Sequence, residues 1–352
     1  MPLFPGAPAP MFDAPSPINP RFAFSSVGGR YIVLAFLPPP GPARDAAVAL
    51  VRCNADVFRD HRALFFGVLP DAASFAAAKN TPPLRWFDGS DGGLRRLYAT
   101  SADDDLSPMW VLIDPSLRVL GWRPLAQGAD LVADLKAMGA PRDHAGAPLH
   151  APVLIVPRVF ERQLCCALVE HYESVGGAAS GTMILRDGKT VGVLNDFKSR
   201  RDAAVRDDGL IATCRDRLHR RLCPEIQKAF QFTPTYIERY IVARYDAEEG
   251  GWFQPHRDNT TPGTAHRKFA VSINLSDDFE GGDLRFPEFG DRTYRPPIGG
   301  AVVFSCSLLH EATKVTRGAR YAFLPFLYDQ AGAEIRAANL HTLEPGQTAA
   351  AG

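Results

Sequence analysis

The chain has 352 residues, about twice the length of a typical single domain, so two domains are the default expectation. Apolar residues make up 46%, charged residues 22%, and 39 Lys+Arg balance 39 Asp+Glu, a composition of soluble globular type whose zero net charge argues against a coat for nucleic acid or anionic membrane. There is no uninterrupted apolar run of about 18 residues for a membrane span, and no basic, apolar signal peptide at the start.

Residues 1–20 are Pro-rich and read as a flexible or extended leader. Tyr31–Leu37 and Ala63–Val68 are short apolar runs of buried-strand type, each followed by helical spacing, over Ala43–His61 and Asp71–Lys79. Trp110–Ile113 and Leu117–Trp122 read as a hairpin, and Ala129–Met138 as a closing helix. Alternating strands and helices predict an α/β sheet covered by helices over 21–139. The Gly-, Ala- and Pro-rich stretch Met138–Pro152 lacks apolar periodicity and reads as a linker centred on 140–151.

A second domain is expected over 152–330, with a tail at 331–352. It opens with a strand at Val153–Val156 and a helix at Glu161–Ser174. A Gly-rich, weakly patterned stretch, Val175–Asp208, precedes a helix at Leu210–Ala229. Short strands follow at Tyr236–Tyr245, Lys268–Leu275, Gly282–Phe286, Ala301–Ser305 and Arg320–Leu327. Two helices leading into a run of strands predict an α+β domain with a sandwich or barrel core. The six cysteines form no CxxC pair, so reduced thiols in a cytoplasmic setting are expected.

The chemistry concentrates in FQPHRDN, Phe253 to Asn259. His256 and Asp258 stand two apart, which on an extended strand puts both side chains on one face. His310 follows just past the apolar run Val302–Phe304. Two histidines and one carboxylate make the facial triad of non-haem Fe(II) oxygenases, which leaves coordination positions open. A structural zinc site would want four closed ligands, usually with thiolates. Arg320, ten residues after His310, opens the next strand. A guanidinium buried in the same barrel needs a partner, and a dicarboxylate co-substrate would supply one, its other end chelating the iron.

These residues and four motifs in order resemble the 2-oxoglutarate- and Fe(II)-dependent dioxygenases of the prolyl 4-hydroxylase type. The motifs are ERYIVARYDAEEGGWFQPHRDN, EGGDLRF, GGAVVF and HEATKVTRGARY, and the resemblance covers Ala151 to Asp329. It implies a double-stranded β-helix (jelly-roll) core, with His256, Asp258 and His310 as metal ligands. Arg320 would take the distal carboxylate of 2-oxoglutarate, and Tyr245 would line the co-substrate pocket. The implied cofactors are Fe(II), 2-oxoglutarate and dioxygen, with ascorbate as reductant. The implied reaction hydroxylates an unactivated C–H bond of a small molecule, amino acid or peptide, peptidyl proline among them, and releases succinate and carbon dioxide. Neither a membrane nor nucleic acid is expected as a partner.

Residues 21–139 resemble the thioredoxin-like fold of peroxiredoxins of the alkyl hydroperoxide reductase type. The peroxidatic cysteine should start the first helix, where this chain has Pro42-Ala43-Arg44-Asp45, and Cys53 lies too far along. A degenerate domain acting as scaffold, homodimer surface or partner platform is expected. The alternatives to an oxygenase are a non-catalytic ligand-sensing module and a thiol peroxidase using Cys53. Val175–Asp208 stands at a position that carries a substrate lid in similar enzymes, with a variable loop as the equal alternative. Lys198, Arg200 and Arg201, and Arg215, Arg217, Arg220 and Arg221, read as solvated faces balanced by nearby aspartates. Asn259 is either a residue orienting a metal ligand or a turn residue, and Cys165-Cys166 is expected in a helix core.

Overall fold

A computed structural model describes residues 2–101 and 107–343. The chain divides into two compact units, Met1–Ala151 with Pro287–Asp291, and Pro152–Phe286 with Arg292–Gly352. None of the described helices is long and apolar enough to cross a membrane.

The first unit is mixed α/β. Its elements are β1 (Asp13–Ser16), β2 (Asn19–Ala23), β3 (Tyr31–Phe36), α1 (Pro42–Cys53), β4 (Ala63–Leu69), α2 (Ala72–Ala77), β5 (Trp86–Asp88), α3 (Gly93–Leu97), β6 (Met109–Ile113), β7 (Val119–Pro124) and α4 (Gly128–Ala137). The central sheet runs β5-β4-β3-β6-β7, with β3, β4 and β5 mutually parallel and β6 and β7 antiparallel. All six residues of β3 are buried, because both faces of the sheet are covered. Tyr31, Val33 and Ala35 meet α1 and α4 through Val51, Leu131 and Leu135. Ile32, Leu34 and Phe36 face a second cluster that contains Leu3, Ala9, Ala14 and Phe24. The segment expected as a flexible leader therefore serves as the second cover of the sheet. Its apolar residues find an open apolar face, and β1 and β2 pair antiparallel across it.

The second unit is β-rich. It comprises β8 (Leu154–Val156), α5 (Arg162–Val175), β9 (Ala178–Ala179), β10 (Thr182–Arg186), β11 (Lys189–Val193), β12 (Lys198–Ser199), β13 (Arg201–Ala204), α6 (Asp208–Arg217), α7 (Cys223–Phe230), β14 (Tyr236–Glu238), β15 (Ile241–Asp246) and β16 (Trp252–His256). After these come β17 (Phe269–Asn274), β18 (Phe279–Gly281), β19 (Leu284–Arg285), β20 (Thr293–Tyr294), β21 (Ala301–Ser305), β22 (His310–Ala312), β23 (Val315–Phe323), β24 (Phe326–Tyr328) and α8 (Gln330–Asn339). The expected helix over Leu210–Ala229 is divided by a π-helical turn at Leu218–Leu222, and Pro224 opens α7. Arg239, at φ 57°, separates β14 from β15 where one strand was expected. The weakly patterned stretch before α6 holds five short strands, β9 to β13. Part of the expected tail is α8, capped by Asp329, while residues 344–352 lie outside the described residues.

These strands form a large antiparallel sheet built on β14-β24-β17-β23-β15-β13-β9 and a smaller one ordered β12-β16-β22-β19-β20. The outer face of the large sheet packs on α5, α6 and α7 through Leu164, Leu168, Cys214, Ile226, Val271 and Ile273. On the inner side, Ala243, Tyr245 and Val315 of the large sheet meet Ala312 and Phe253 of the small one. Two antiparallel sheets closing on a shared interior are the double-stranded β-helix (jelly-roll) arrangement.

Candidate metal centre

The small sheet brings the two histidines together. β16 and β22 pair antiparallel, and His256 lies directly across from His310. Their rings are 4.2 Å apart. Asp258 is just past the end of β16, where its backbone N–H donates to the Cys306 carbonyl at 2.9 Å. Its carboxylate reaches both rings, 3.6 Å from His256 Nε2 and 3.3 Å from His310 Nε2. One ligand atom from each of the three residues lies within 4.8 Å of the others.

The donors are prepared for a cation. His256 Nδ1 lies 2.7 Å from the Gln254 carbonyl, and His310 Nδ1 3.0 Å from the Leu308 carbonyl. A carbonyl only accepts, so each Nδ1 carries the proton and each Nε2 keeps its lone pair toward Asp258. Burial, and then His310 beside it, push the His256 ring well below the ordinary imidazole pKa of 6.5, which keeps it neutral. Burial pushes Asp258 up, but the basic groups around it, Arg267 and Arg239 among them, hold the carboxyl below its ordinary value. Two imidazoles and one carboxylate without a thiolate fit a divalent non-haem iron with open positions. Phe253 stacks on His256 with centroids 3.4 Å apart, and Phe304 packs on His310 at 4.5 Å, so apolar rings back both ligands.

Arg320 is 3% exposed and extends from β23 into the same interior. Its Nε donates to Asn274 Oδ1 at 3.1 Å, Nη1 to the Gly282 carbonyl at 2.9 Å, and Nη2 to Ser272 Oγ at 2.7 Å. None of these partners is charged, and no described carboxylate lies within 4.0 Å of the guanidinium. Asp283 is held by Arg295 at 2.5 Å. Burial pushes the Arg320 pKa down, the expected direction for a buried cation without an anion. Tyr245 stands opposite Arg320 in the β15–β23 register, and the guanidinium carbon is 5.6 Å from its ring centre.

Several residues at this site escape sequence reasoning. Ser272 and Asn274 alternate along β17 and share its inner face, so polar residues two apart in an apolar strand were a readable signal. Arg200, expected on a solvated face, is 7% exposed and pairs with Asp202 at 2.6 Å; its Nη1 donates to Tyr245 Oη at 3.3 Å. Only the pairing of β13 with β15 turns that stretch inward. Behind Asp258 lies a buried polar group: Glu238 accepts from Arg267 at 2.6 and 2.9 Å and contacts His266 Nε2 at 2.7 Å. Arg267 Nη1 also donates to the Asp258 carbonyl at 3.3 Å. Asn259 donates to Ser307 Oγ at 2.8 Å, tying the loop after Asp258 to the one before His310. Arg217 at the end of α6 and Arg220 and Arg221 in the turn after it do keep to an outer face, where they pair with Glu161 and Asp216.

Residues 240–328 match the 2OG-Fe(II) oxygenase superfamily. A PKHD-type hydroxylase of Cupriavidus metallidurans is 35% identical over 95 residues, 24% of this chain and 42% of the relative. A PKHD-type hydroxylase of Paracoccus denitrificans is 35% identical over 98 residues, 25% of this chain and again 42% of the relative. The chain thus spans less than half the length of these curated relatives. Among solved structures, a prolyl hydroxylase from Trichoplax adhaerens in complex with a hypoxia inducible factor peptide fragment is 17% identical, with a TM-score of 0.41, over 56% of this chain and 90% of that one. The family's own description supplies Fe(II) and 2-oxoglutarate as the groups its sites hold, and the His-Asp-His cluster lies within the matched residues. The C-terminal half of the chain carries a 2OG-Fe(II) oxygenase domain.

Proposed function

We propose that the C-terminal unit is a 2-oxoglutarate-dependent hydroxylase in which His256, Asp258 and His310 hold Fe(II). Arg320 receives the distal carboxylate of 2-oxoglutarate, and Tyr245 lines that pocket. When bound, the metal supplies the dioxygen chemistry that couples decarboxylation of 2-oxoglutarate to hydroxylation of a C–H bond. The chain's residues supply geometry and dryness. The two Nδ1–H bonds fix the imidazoles, Asn259 and Arg267 anchor the segment carrying Asp258, and Phe253 and Phe304 keep water from the ligands. Ser272, Asn274 and the Gly282 carbonyl hold the guanidinium flat, so that a carboxylate can meet its fork.

The observation that carries this reading is Arg320, a cation buried in the triad's interior without a carboxylate partner. The curated relatives are hydroxylases by name, which supports the same reaction class. A small molecule or a peptide, peptidyl proline included, is the proposed substrate. The test is succinate release from 2-oxoglutarate. It should require Fe(II) and disappear in His256→Ala and in His310→Ala; turnover that survives both substitutions excludes the site.

For the first unit we propose a thioredoxin-like fold serving as scaffold. The order β5-β4-β3-β6-β7, with three parallel strands followed by an antiparallel pair, supports it. Cys53 closes α1 instead of opening it, away from the helix end that would activate a thiolate.

A further inference from the structure

Among the described residues near the triad, Lys198 and Arg239 are two further cations with no carboxylate partner. Lys198, on β12, lies across from Phe253 on β16, and its ammonium sits 4.9 Å from that ring's centre. Phe253 in turn stacks on His256, so one aromatic ring separates Lys198 from a metal ligand. The ammonium donates only to neutral oxygens, Ser180 Oγ at 2.6 Å and the Gly181 carbonyl at 2.9 Å. Arg239 donates from Nε to the Leu324 carbonyl at 3.1 Å and lies 4.2 Å from the Phe326 ring centre; neither Nη has a protein hydrogen-bond partner. Phe326 also carries Arg267 at 4.1 Å, and Arg267 touches the Asp258 carbonyl.

The other charges of this region are already matched. Arg200 has Asp202, and Arg267 has Glu238. Asp258 belongs to the metal. Lys198 and Arg239 are therefore two basic groups near the triad with no carboxylate bonded to either. Burial and then Arg200 push the Lys198 ammonium down to about 6, with Arg239 adding to that push and Asp202 and then Asp258 opposing it, so the amine takes up its proton when an anion arrives. An anion entering between them would offset the desolvation and repulsion that weaken Lys198 as a base. Neither shares a hydrogen-bond partner with Arg320, which is engaged by Ser272, Asn274 and Gly282.

We infer that Lys198 and Arg239 form a second oxyanion site beside the metal, which holds a carboxylate or phosphoryl group of the substrate while a C–H bond faces the iron. The substrate is then an acid, and its charge sets its position. Arg239 offers a free fork for bidentate pairing, and Lys198 a point charge. This inference rests on the proposed oxygenase reading, since 2-oxoglutarate must occupy the Arg320 side.

The test uses the full chain with Fe(II) and saturating 2-oxoglutarate, without oxygen, titrated calorimetrically with benzoate, phenyl phosphate and benzamide. Benzoate or phenyl phosphate should bind saturably, and whichever is tighter names the group. Benzamide should bind about tenfold or more weaker. Lys198→Met and Arg239→Met should each weaken the preferred anion by about tenfold, Lys198→Arg should retain most of the affinity, and 2-oxoglutarate should bind each variant within about twofold of wild type, which also reports a folded site. Equal binding of benzamide, wild-type anion affinity in both Met variants, or no saturable anion binding overturns the inference. Loss of 2-oxoglutarate binding by the Lys198 variants also overturns it, by assigning that charge to the co-substrate. If wild-type protein fails to bind 2-oxoglutarate, the oxygenase reading itself falls and takes this inference with it.

Discussion

At the scale of single residues, the cost of burying charge decides what each group does. Arg320 and Arg267 are both buried arginines, yet they face opposite situations. Arg267 is neutralised by Glu238 inside the protein, whereas Arg320 meets only neutral oxygens, which leaves its charge open to the proposed co-substrate. Arg320→Gln should weaken 2-oxoglutarate binding by about tenfold to a hundredfold, as read by calorimetry on the Fe(II)-loaded protein. Glu238→Ala strands the Arg267 charge and should destabilise the fold by about 3–5 kcal/mol in chemical denaturation. The double variant Glu238→Ala with Arg267→Met should regain part of that loss, because the stranded charge is gone. A double variant no more stable than Glu238→Ala would mean that packing, not charge, holds this position.

At the scale of elements, the ends of strands and helices matter more than their middles. His256 ends β16 and His310 begins β22, and the register of that one pair makes the triad. Both strands are short, and β22 has three residues and no alternating pattern of its own, so neither would form without the other. The helices are tied in a different way. Glu161 is the N-cap position of α5, and its carboxylate accepts from Arg217 of α6 at 2.8 Å and from Arg221 in the following turn at 2.7 Å. Its pKa drops from 4.5 to about 2, chiefly through the Arg217 hydrogen bonds, with burial opposing. A carboxyl depressed in the folded state stabilises fully above its unfolded pKa, and that stability is lost as pH falls through the folded value. The difference in thermal midpoint between wild type and Glu161→Gln should therefore be full near neutral pH and shrink as pH falls from 4.5 toward 2. A pH-independent difference would place the effect outside ionisation.

At the scale of the whole molecule, segments distant in sequence complete each core. The Pro-rich start covers one face of the first sheet, and Pro287–Asp291, far along the chain, groups with that first unit. Gly29, at φ +89°, would put a Cβ 2.5 Å from the Pro287 side chain, and no L side chain fits there. Gly29→Ala should destabilise the first unit by about 1–3 kcal/mol, from overpacking and backbone strain combined. Gly121→Ala, where an added Cβ meets nothing within 4 Å, should change stability by less than about 0.5 kcal/mol. Urea denaturation followed by tryptophan fluorescence compares the two, and equal effects would contradict the close approach to Pro287.

Much of the metal site was legible in the chain itself, because a facial triad is written in residue types and local spacing. The HxD pair sits at a strand end and the second histidine follows an apolar strand, whereas Arg320, expected to open a strand, lies inside β23, which already begins at Val315. The alternation of strands and helices in the first half was equally readable, since hydrophobic periodicity is a local property. The leader's burial, the inward turn of Arg200 and the Glu238–Arg267 pair behind Asp258 were not readable. Proline-rich or basic stretches look solvated until something distant covers them, and whether a charge is buried depends on which strands pair, a choice made by contacts across the whole chain. Residue types and local spacing were enough to single out His256, Asp258, His310 and Arg320 as candidates, because both are properties of short stretches of chain. Which basic side chains end up buried near that cluster was settled by strand pairing, because desolvation and charge pairing exist only once the chain has closed around them.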